Sequence, residues 1–535
     1  MNTLCLNDCK SIHIFAWPFT YEANEDIFAR MRNGNNDAWQ RKSMNFAELK
    51  EEQQIKDVFM LQQYLSKTGQ KVFIGNSAVC EVYEYKEDKI ENLYYYVKTR
   101  EYIEDRIIEK EFKLPIKGIE LHLYHKYQVG ILFLQIVNYD ILDIKEIQLL
   151  NDVGRRLELP FIPSDKEKFI LCAEQLGVKK ETGDIVKTNI INFRESIRKG
   201  DYSLTAAEFI YDILEGDVFA ENGTGQRIKR IVKGHEDERM FLYSLIIDEE
   251  LSNQMKGLDL SSEITDEKLS DVKESKSQSK GILKIISDLM RADAEPVEQE
   301  ECKSESREDI LKKIYALVHA DAGSASCQDK KMLLQIFEKE LYTRWREYGT
   351  LYGISNYSFV CITGNPECTM DSVIRPFVTE YMYMLSLVLA QRMEIQAMSE
   401  KTSHEERWNG ASLREIKKNY SEFKNQLLIQ EFSNQEQGMD LYLKLQEQLY
   451  IDKYHNILDE QLENIYEVIS VRNAEKIQAL GMFISVLTAV TTVFEYLGEC
   501  LAEKVTPGQF GANVAAILIS GVIVIVSAIM FFKKK

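Results

Sequence analysis

A row of small and polar residues lies along one apolar segment near the C-terminal end of the chain. The segment, residues 477–497, reads IQALGMFISVLTAVTTVFEYL. Members of the row follow one another at steps of three and four residues: Gln478, Gly481, Ser485, Thr488, Thr492, Glu495 and Glu499. This heptad spacing places them on one face of a helix. Hydroxyl, amide and carboxylate oxygens on one face could line a path for water or cations.

Such a row is costly against lipid, so we expect it to face protein or water. One helix cannot enclose a channel. We therefore predict a ring of identical helices from several subunits that turn the row inward, with Glu495 and Glu499 as acidic rings at the outer mouth. The alternative is that the hydroxyls of Ser485, Thr488 and Thr492 form hydrogen bonds across packed helices or to backbone carbonyls of their own helix.

Two pairs of arginines could hold an anionic ligand by bidentate hydrogen bonds. Arg155 and Arg156 lie in NDVGRRLELPF, and Arg344 and Arg346 flank Trp345. For each pair taken alone, a structural ion pair is the simpler interpretation. The sequence contains no GxxxxGK[ST], HExxH or GxSxG motif, and its nine cysteines form no CxxC pair. We therefore predict neither an enzyme with catalytic residues nor a metal site.

Two apolar segments are long enough to cross a bilayer, because about 20 helical residues span roughly 30 Å. Residues 510–532 carry no charge, whereas residues 477–497 have a soluble alternative as a buried amphipathic helix. Arg472 and Lys476 precede the first segment, and lysines occupy 533–535 after the second. The positive-inside rule thus predicts a transmembrane hairpin with both flanks in the cytoplasm.

The composition predicts a folded, cytoplasmic body before the hairpin. The 535 residues are 45% hydrophobic and carry a net charge of -19, which argues against direct binding of nucleic acid. The first residues lack a basic start followed by an apolar stretch, so we expect no cleavable signal peptide. The predicted location is the inner (cytoplasmic) membrane, with the N-terminal domain and the C-terminus in the cytoplasm.

The elements that position these residues are predicted from hydrophobic periodicity. Helical patterns lie at 46–65, 204–214 and 378–398, and residues 344–364 predict a turn followed by a buried strand or an irregular loop. Strand patterns lie at 12–17, 72–74, 93–97, 119–125 and 128–137. Residues 439–480 contain neither Gly nor Pro, and predict one helix of up to about 60 Å entering the first apolar segment without a break.

The predicted fold is an α+β cytoplasmic domain followed by a long helical stalk and a C-terminal two-helix transmembrane hairpin. The predicted segments are an α/β sensor domain at 1–256, a charged flexible linker or insertion at 257–309, a mainly helical domain with the stalk helix at 310–476, and two transmembrane helices at 477–535. A short apolar patch at 282–290 predicts one docked helix inside the charged segment.

A long cytoplasmic helix that leads into the first of two C-terminal spans resembles the layout of the CorA-type divalent-cation channels. The Gly-Met-Asn signature that ends the first span in that family is missing, and FEYLGEC stands in its place. The resemblance therefore does not extend to magnesium selectivity.

The soluble part is similar to a narrower group, the CorA-like membrane effectors encoded beside type III CRISPR systems. The segments that carry this similarity include IHIFAWPF, VGILFLQIVNYDILDIKEIQLLNDVGRRLELPF, RWREYGTLYGISNYSFVCIT, YMYMLSLVLAQR and EFSNQEQGMDLY. The resemblance implies a cytoplasmic sensor of a nucleotide second messenger, which in that group can be a conjugate of S-adenosylmethionine with AMP. Asn356 and Tyr357, which lie in one of these segments, complete the candidate ligand contacts.

The leading hypothesis is an oligomeric, channel-like effector that the messenger opens, so that ion gradients collapse in an infected cell. The CorA layout implies a homo-oligomer in the membrane, a pentamer if the family's subunit count holds. One alternative is a constitutive CorA-like transporter with a divalent cation such as magnesium as the permeant ion. The other is a membrane-tethered interaction protein whose hairpin serves only as an anchor.

Overall fold

The computed structural model describes most of the chain before the second apolar segment. The described residues are 9–22, 28, 31, 36–46, 48–50, 52–75, 77–103, 106–139, 142–159, 172–200, 208–219, 231–234, 239–258, 306–322, 327–404, 410–502 and 521.

Thirteen strands of the described chain form one sheet. They are β1 (Ser11–Tyr21), β2 (Trp39–Arg41), β3 (Glu81–Tyr85), β4 (Leu93–Ile103), β5 (Arg106–Tyr124), β6 (Val129–Asn138), β7 (Gln175–Thr182), β8 (Ile185–Asn192), β9 (Val232–Gly234), β10 (Phe241–Ile247), β11 (Leu341–Tyr342), β12 (Leu351–Ile354) and β13 (Ser358–Thr363). Their main order is β11-β12-β13-β10-β1-β6-β5-β4-β7-β8. Among the described pairs, β10 and β13 run parallel and the others antiparallel.

Helices occur in both halves of the described chain. They are α1 (Glu52–Tyr64), α2 (Lys67–Phe73), α3 (Glu87–Ile90), α4 (Ile144–Val153), α5 (Phe193–Lys199), α6 (Glu208–Glu215), α7 (Glu249–Met255), α8 (Arg307–Val318), α9 (Lys330–Glu340), α10 (Pro366–Thr369), α11 (Arg375–Val378), α12 (Glu380–His404), α13 (Gly410–Gln426), α14 (Glu436–Gln448) and α15 (Ile451–Ala502).

The chain divides into two compact units. The sheet unit comprises residues 1–400 and 419–456, and the stalk unit comprises residues 401–418 and 457–535. Strands β1 and β6 lie at the centre of the sheet and are buried along almost their whole length. Their nearly continuous apolar sequences suit strands that are covered on both faces. The α+β character predicted for the cytoplasmic part is therefore confirmed.

Four of the five predicted strands are confirmed, as β1, β4, β5 and β6. The prediction at 72–74 is wrong, because these residues include the end of helix α2. The hydroxyl of Ser66 accepts a hydrogen bond from the backbone N–H of Gly69 and caps the start of that helix. Three consecutive apolar residues are too few to distinguish a strand from a buried helical turn.

The predicted helices at 46–65 and 378–398 correspond to α1 and α12, and the described part of 204–214 corresponds to α6. Residues 344–364 contain the predicted turn, a 3-10 helix at Arg346–Tyr348, followed by two buried strands. These strands form the antiparallel hairpin β12–β13, which joins the sheet through the parallel pairing with β10. The sheet therefore takes strands from both sides of the predicted segment 257–309. The apolar patch at 282–290 lies outside the described residues, and so does 510–532 apart from Gly521.

The predicted unbroken helix at 439–480 is wrong at one point. Helix α14 ends at Gln448, and Tyr450 has a left-handed φ of 58°. From Ile451 onward, helix α15 continues for 52 residues, a length of about 78 Å. The absence of Gly and Pro did not ensure continuity, since a tyrosine takes the left-handed position here. The helix does enter the first apolar segment without a break, as predicted.

A buried histidine sits where β1 packs against α4. The side chain of His13 is completely buried, and its Nδ1 lies 2.7 Å from Oδ1 of Asn151. Its Nε2 lies 2.9 Å from the hydroxyl oxygen of Ser11. Burial lowers the pKa of His13 to about 4. The folded protein therefore holds this imidazole neutral.

Replacing His13 by Gln is expected to weaken the loss of stability in acid. The unfolded imidazole takes up a proton near pH 6.5 and the folded one only near pH 4, so unfolding binds a proton between these values. Stability contributed by neutral His13 is present at pH 7 and falls by on the order of 2 kcal/mol at about pH 5. The check is the thermal unfolding midpoint of the full chain in detergent at both pH values. An equally steep fall in the variant would contradict the assignment.

Candidate functional site

A tight turn at the end of the β12–β13 hairpin presents two of the predicted ligand residues. The backbone N–H of Ser355 donates to the carbonyl oxygen of Ser358 at 2.9 Å, and their hydroxyl oxygens lie 2.6 Å apart. The Ser358 hydroxyl also donates to the carbonyl oxygen of Val318. Both serines are buried. These bonds fix the turn, which carries exposed Asn356 and half-buried Tyr357.

Backbone hydrogen bonds connect two further chain segments to this turn. The N–H of Met240 donates to the carbonyl oxygen of Arg155 at 2.8 Å, and the N–H of Leu242 donates to the carbonyl oxygen of Tyr357 at 3.0 Å. Arg239 forms a β-bridge with the residue that follows Arg155. Residues more than eighty positions apart in the sequence are thus held together by the sheet.

The guanidinium groups of Arg155 and Arg239 lie over the aromatic ring of Tyr357. Their Cζ atoms are 4.7 and 5.3 Å from the ring centroid. Arg155 is only 1% exposed, and its Nε and Nη1 have no hydrogen-bond partner among the described residues. Burial, with a further contribution from Arg239, lowers the pKa of Arg155 to about 10. We call Arg155, Arg239 and Tyr357 the arginine–tyrosine cluster.

A buried cation without an acceptor is costly to keep. Even a neutral donor loses about 1–3 kcal/mol when it is buried and unpaired, and a charged donor loses more. The ring face of Tyr357 compensates part of this cost through a cation–π interaction. An anion that accepts hydrogen bonds from Arg155 would offset the rest of this free-energy cost. The cluster is therefore arranged for an anionic ligand such as a phosphate group.

The hydroxyl of Tyr357 is held by a second set of residues. It lies 3.0 Å from Nδ1 of His319, whose Nε2 lies 2.7 Å from Oε2 of Glu340. The ring of Tyr315 stacks on the imidazole at a centroid distance of 4.1 Å. Burial raises the pKa of Tyr357 to about 12, so the phenol stays protonated. These contacts fix the plane of the ring that the two arginines face.

Replacing Tyr357 by Ala is expected to weaken binding of an anionic nucleotide about tenfold or more, because the aromatic face is lost. Replacing Tyr357 by Phe removes only the hydroxyl bond to His319 and keeps the face. The Phe variant is therefore expected to bind within a few-fold of wild type. Isothermal titration calorimetry on both variants measures the difference. Equal losses would show that the hydroxyl, and not the ring, contacts the ligand.

The other predicted arginines have carboxylate partners. Arg156 donates from Nε and Nη2 to one oxygen of Asp152 at 3.0 and 2.7 Å. Arg344 pairs with Glu436 at 2.8 Å, and Arg346 pairs with the glutamate that follows it at 2.7 Å. These are the contacts of the ion-pair interpretation. The structure brings Arg155 and Tyr357 together and places Arg344 and Arg346 in separate ion pairs.

Sequence inspection missed three members of this region, namely Arg239, His319 and Glu340. None of the three belongs to a recognised sequence motif. Their roles arise from the sheet, which places the start of β10 beside the β12–β13 turn. Nothing in their local sequence relates them to Arg155 or Tyr357.

A separate cavity of about 230 Å³ lies beside β2 and β3 and is lined in part by Lys42 and Glu81. Its charges already have partners. Nζ of Lys42 lies 3.4 Å from both carboxylate oxygens of Glu120, and Oε2 of Glu81 lies 2.9 Å from Nε2 of His125. This cavity therefore lacks the unsatisfied charge that marks Arg155.

Comparison of the chain with family models, curated proteins and solved structures finds no match. Its function is therefore inferred from the chemistry of its own residues. Two features carry that chemistry, the arginine–tyrosine cluster in the sheet unit and the exposed helix α15.

Two helices of the described chain meet the length and composition of a membrane span. The region Pro366–Ser403 is 83% buried across its apolar window, as expected for a core helix. The region Ile451–Glu495 is 0% buried across its window. Within it, Ile477, Phe483 and Phe494 are 71%, 63% and 69% exposed. Such an exposed apolar surface is costly in water and suits a membrane.

The polar row predicted to line a pore is exposed on α15. Three of its hydroxyls donate to the backbone carbonyl four residues earlier at 2.8–2.9 Å, namely those of Ser485, Thr488 and Thr492. These are the backbone bonds of the alternative interpretation. Gln478 and Glu495 are exposed, and the side chain of Glu499 lies outside the described residues. Because the hydroxyl hydrogens are used within the helix, their oxygens offer lone pairs to the surroundings.

Proposed function

We propose that the chain is a membrane effector that binds a phosphate-bearing nucleotide at the arginine–tyrosine cluster and changes the state of its membrane segment in response. The observation that carries this proposal is the buried guanidinium of Arg155, which faces an aromatic ring and whose Nε and Nη1 have no hydrogen-bond partner among the described residues. A protein gains nothing in stability from such an arrangement. It gains affinity for an anion that supplies the missing acceptors.

The chemistry of the cluster favours a nucleotide over a simple anion. Phosphate oxygens match the guanidinium groups of Arg155 and Arg239. A base can stack on the guanidinium planes or on a face of the Tyr357 ring that they leave open. The resemblance to CorA-like effectors of type III CRISPR systems suggests a specific candidate, the conjugate of S-adenosylmethionine with AMP. That conjugate carries both a phosphate and an adenine ring.

The membrane part of the proposal starts from α15. Its apolar residues contact lipid, and its polar row faces the equivalent rows of other subunits in a homo-oligomer, which would be a pentamer if the CorA layout holds. The second apolar segment of the predicted hairpin, residues 510–532, lies outside the described residues apart from Gly521. Hydroxyl oxygens and the carboxylate of Glu495 line the pathway and favour cations, including divalent cations.

The effector lies in the cytoplasmic membrane, with its sheet unit and C-terminus in the cytoplasm. The messenger shifts the equilibrium towards the open state by the difference between its binding free energies for the open and closed states. Opening dissipates ion gradients and stops growth of an infected cell, which would be the antiviral effect. The protein does not contact nucleic acid directly, in keeping with its net charge of -19.

A thermal-shift screen of the purified full-length protein tests the ligand assignment, because a ligand that binds only the folded state raises its unfolding temperature. The ligands are cyclic oligoadenylates, the S-adenosylmethionine–AMP conjugate, ATP and pyrophosphate. We expect a nucleotide to raise the midpoint in wild type and not in the Arg155→Met variant. A midpoint that no ligand raises, or one raised equally in the variant, rejects the site.

A different result would support a constitutive transporter. Expression without any messenger would then rescue a strain deficient in magnesium uptake. Rescue by wild type and equally by Arg155→Met would favour transport over a messenger-gated function.

A further inference from the structure

We infer that Arg392 couples the arginine–tyrosine cluster to the stalk helix α15, and this inference rests on the proposed function of that cluster. The coupling runs through helix α12. One end of the path is the turn that carries Tyr357, and the other is a hydrogen bond between Thr402 and Gln461.

The first contact lies at the ligand turn. Nη1 of Arg392 donates to the backbone carbonyl oxygen of Asn356 at 3.1 Å. Asn356 directly precedes Tyr357, so both residues belong to the same two-residue turn. A ligand that moves the ring of Tyr357 would shift this carbonyl as well. Arg392 responds to the position of the backbone and does not itself belong to the cluster.

The position of α12 is fixed one residue before Arg392. The side chain of Gln391 is completely buried, and its Nε2 donates to the carbonyl oxygen of Leu427 at 2.7 Å and to the hydroxyl of Tyr442 at 3.0 Å. Its Oε1 accepts a bond from Gln446 at 3.0 Å. These bonds place Arg392 beside an anchored point. A displacement of Arg392 therefore acts on a helix that is anchored at the neighbouring residue.

The second contact lies in the stalk unit. Helix α12 continues ten residues from Arg392 to Thr402, a distance of about 15 Å. Thr402 is buried, and its hydroxyl donates to Oε1 of Gln461 on α15 at 3.3 Å. From Gln461 the same helix runs without a break into the exposed apolar segment. A helix transmits a displacement that a flexible connection would absorb.

The test compares Arg392→Gln and Arg392→Lys with wild type in full-length protein in lipid nanodiscs. The control variant is Glu400→Gln, which breaks an exposed ion pair of the same helix with Lys233. The probe is the S-adenosylmethionine–AMP conjugate. Calorimetry measures its Kd, and hydrogen–deuterium exchange reports on residues 351–363 at the cluster and on residues 455–475 of α15.

In wild type and in Glu400→Gln, we expect the probe to change exchange at both places. In Arg392→Gln, we expect binding with a Kd within about tenfold of wild type, protection at 351–363, and no change at 455–475. Arg392→Lys keeps a donor and is expected to restore part of the response at α15.

Two results would overturn the inference, and they are distinguishable. A full response at 455–475 in Arg392→Gln would remove Arg392 from the path while leaving the ligand site intact. Failure of the probe to bind wild type or to protect 351–363 would reject the proposed site, and the coupling with it.

Discussion

The Arg155→Met variant should lose at least about 100-fold in affinity for the nucleotide and yet fold as stably as wild type. Hydrogen bonds from a charged donor contribute roughly 1.5–3 kcal/mol each. Losing two of them corresponds to about 3 kcal/mol or more, which is over 100-fold in Kd. Arg155 makes no bond from Nε or Nη1 within the described chain, so little is lost in the free protein.

This combination separates a ligand-binding residue from a structural one. An apolar side chain of similar volume removes the desolvation cost of the unpaired donors, so its substitution for Arg155 should cost little stability. The neighbouring variant Arg156→Met provides the contrast, because it leaves the largely buried carboxylate of Asp152 without its partner. We expect the unfolding midpoint to fall in Arg156→Met and not in Arg155→Met.

Calorimetric titration and thermal unfolding of the two variants decide the matter. Arg344→Met serves as a binding control, since that side chain pairs with Glu436 at a solvent-exposed position. If Arg155→Met unfolds at a lower temperature than wild type and still binds the nucleotide, Arg155 is structural and the cluster is not the ligand site.

Replacing both Thr488 and Thr492 by Leu should abolish ligand-stimulated ion flux without preventing membrane insertion. Leucine removes the oxygen lone pairs from two successive turns of the polar row and adds bulk there. In a pore lined by several copies, the change is repeated in every subunit. Insertion depends on apolar length, which the double variant increases. We expect the flux to fall at least about tenfold.

Thr491 provides a matched control on the same helix. Its hydroxyl also donates to a backbone carbonyl, that of Thr488, at 2.8 Å. It lies about 100° around the helix from Thr492 and outside the heptad row. Thr491→Leu should therefore retain flux in liposomes. Unchanged flux in the Thr488→Leu, Thr492→Leu double variant would show that the row does not line the pathway.

The sequence alone was sufficient for features that depend on local pattern. The central strands β1 and β6 were predictable, because long apolar runs are stable only where both faces are covered. Helix α15 through residues 477–497 was predictable for a similar reason, since its apolar content and helical spacing are local properties. The left-handed backbone at Tyr450 was not predictable, because a single non-glycine residue leaves no pattern when it takes that conformation.

The candidate site was only partly accessible to sequence analysis. Arg155 and Arg344 look alike in the sequence, as each is one of two closely spaced arginines beside apolar residues. Tertiary structure separates them, because Arg344 reaches Glu436, whereas Arg155 is buried over Tyr357 and its Nε and Nη1 have no partner among the described residues. Whether an arginine has a charged partner depends on the groups within a few ångströms of its guanidinium. Those groups belong to chain segments that are distant in sequence.

The sequence by itself thus determined the apolar helix, its polar row and the α+β character of the sheet unit, since each follows from residue types at fixed spacing. Only the tertiary structure decided that Arg155, and not Arg344, has buried donor nitrogens without a partner among the described residues. It did so by joining the segment after α4, the start of β10 and the β12–β13 turn through backbone hydrogen bonds. Such contacts between distant segments form when the strands assemble into the sheet, and no local pattern of residues encodes them.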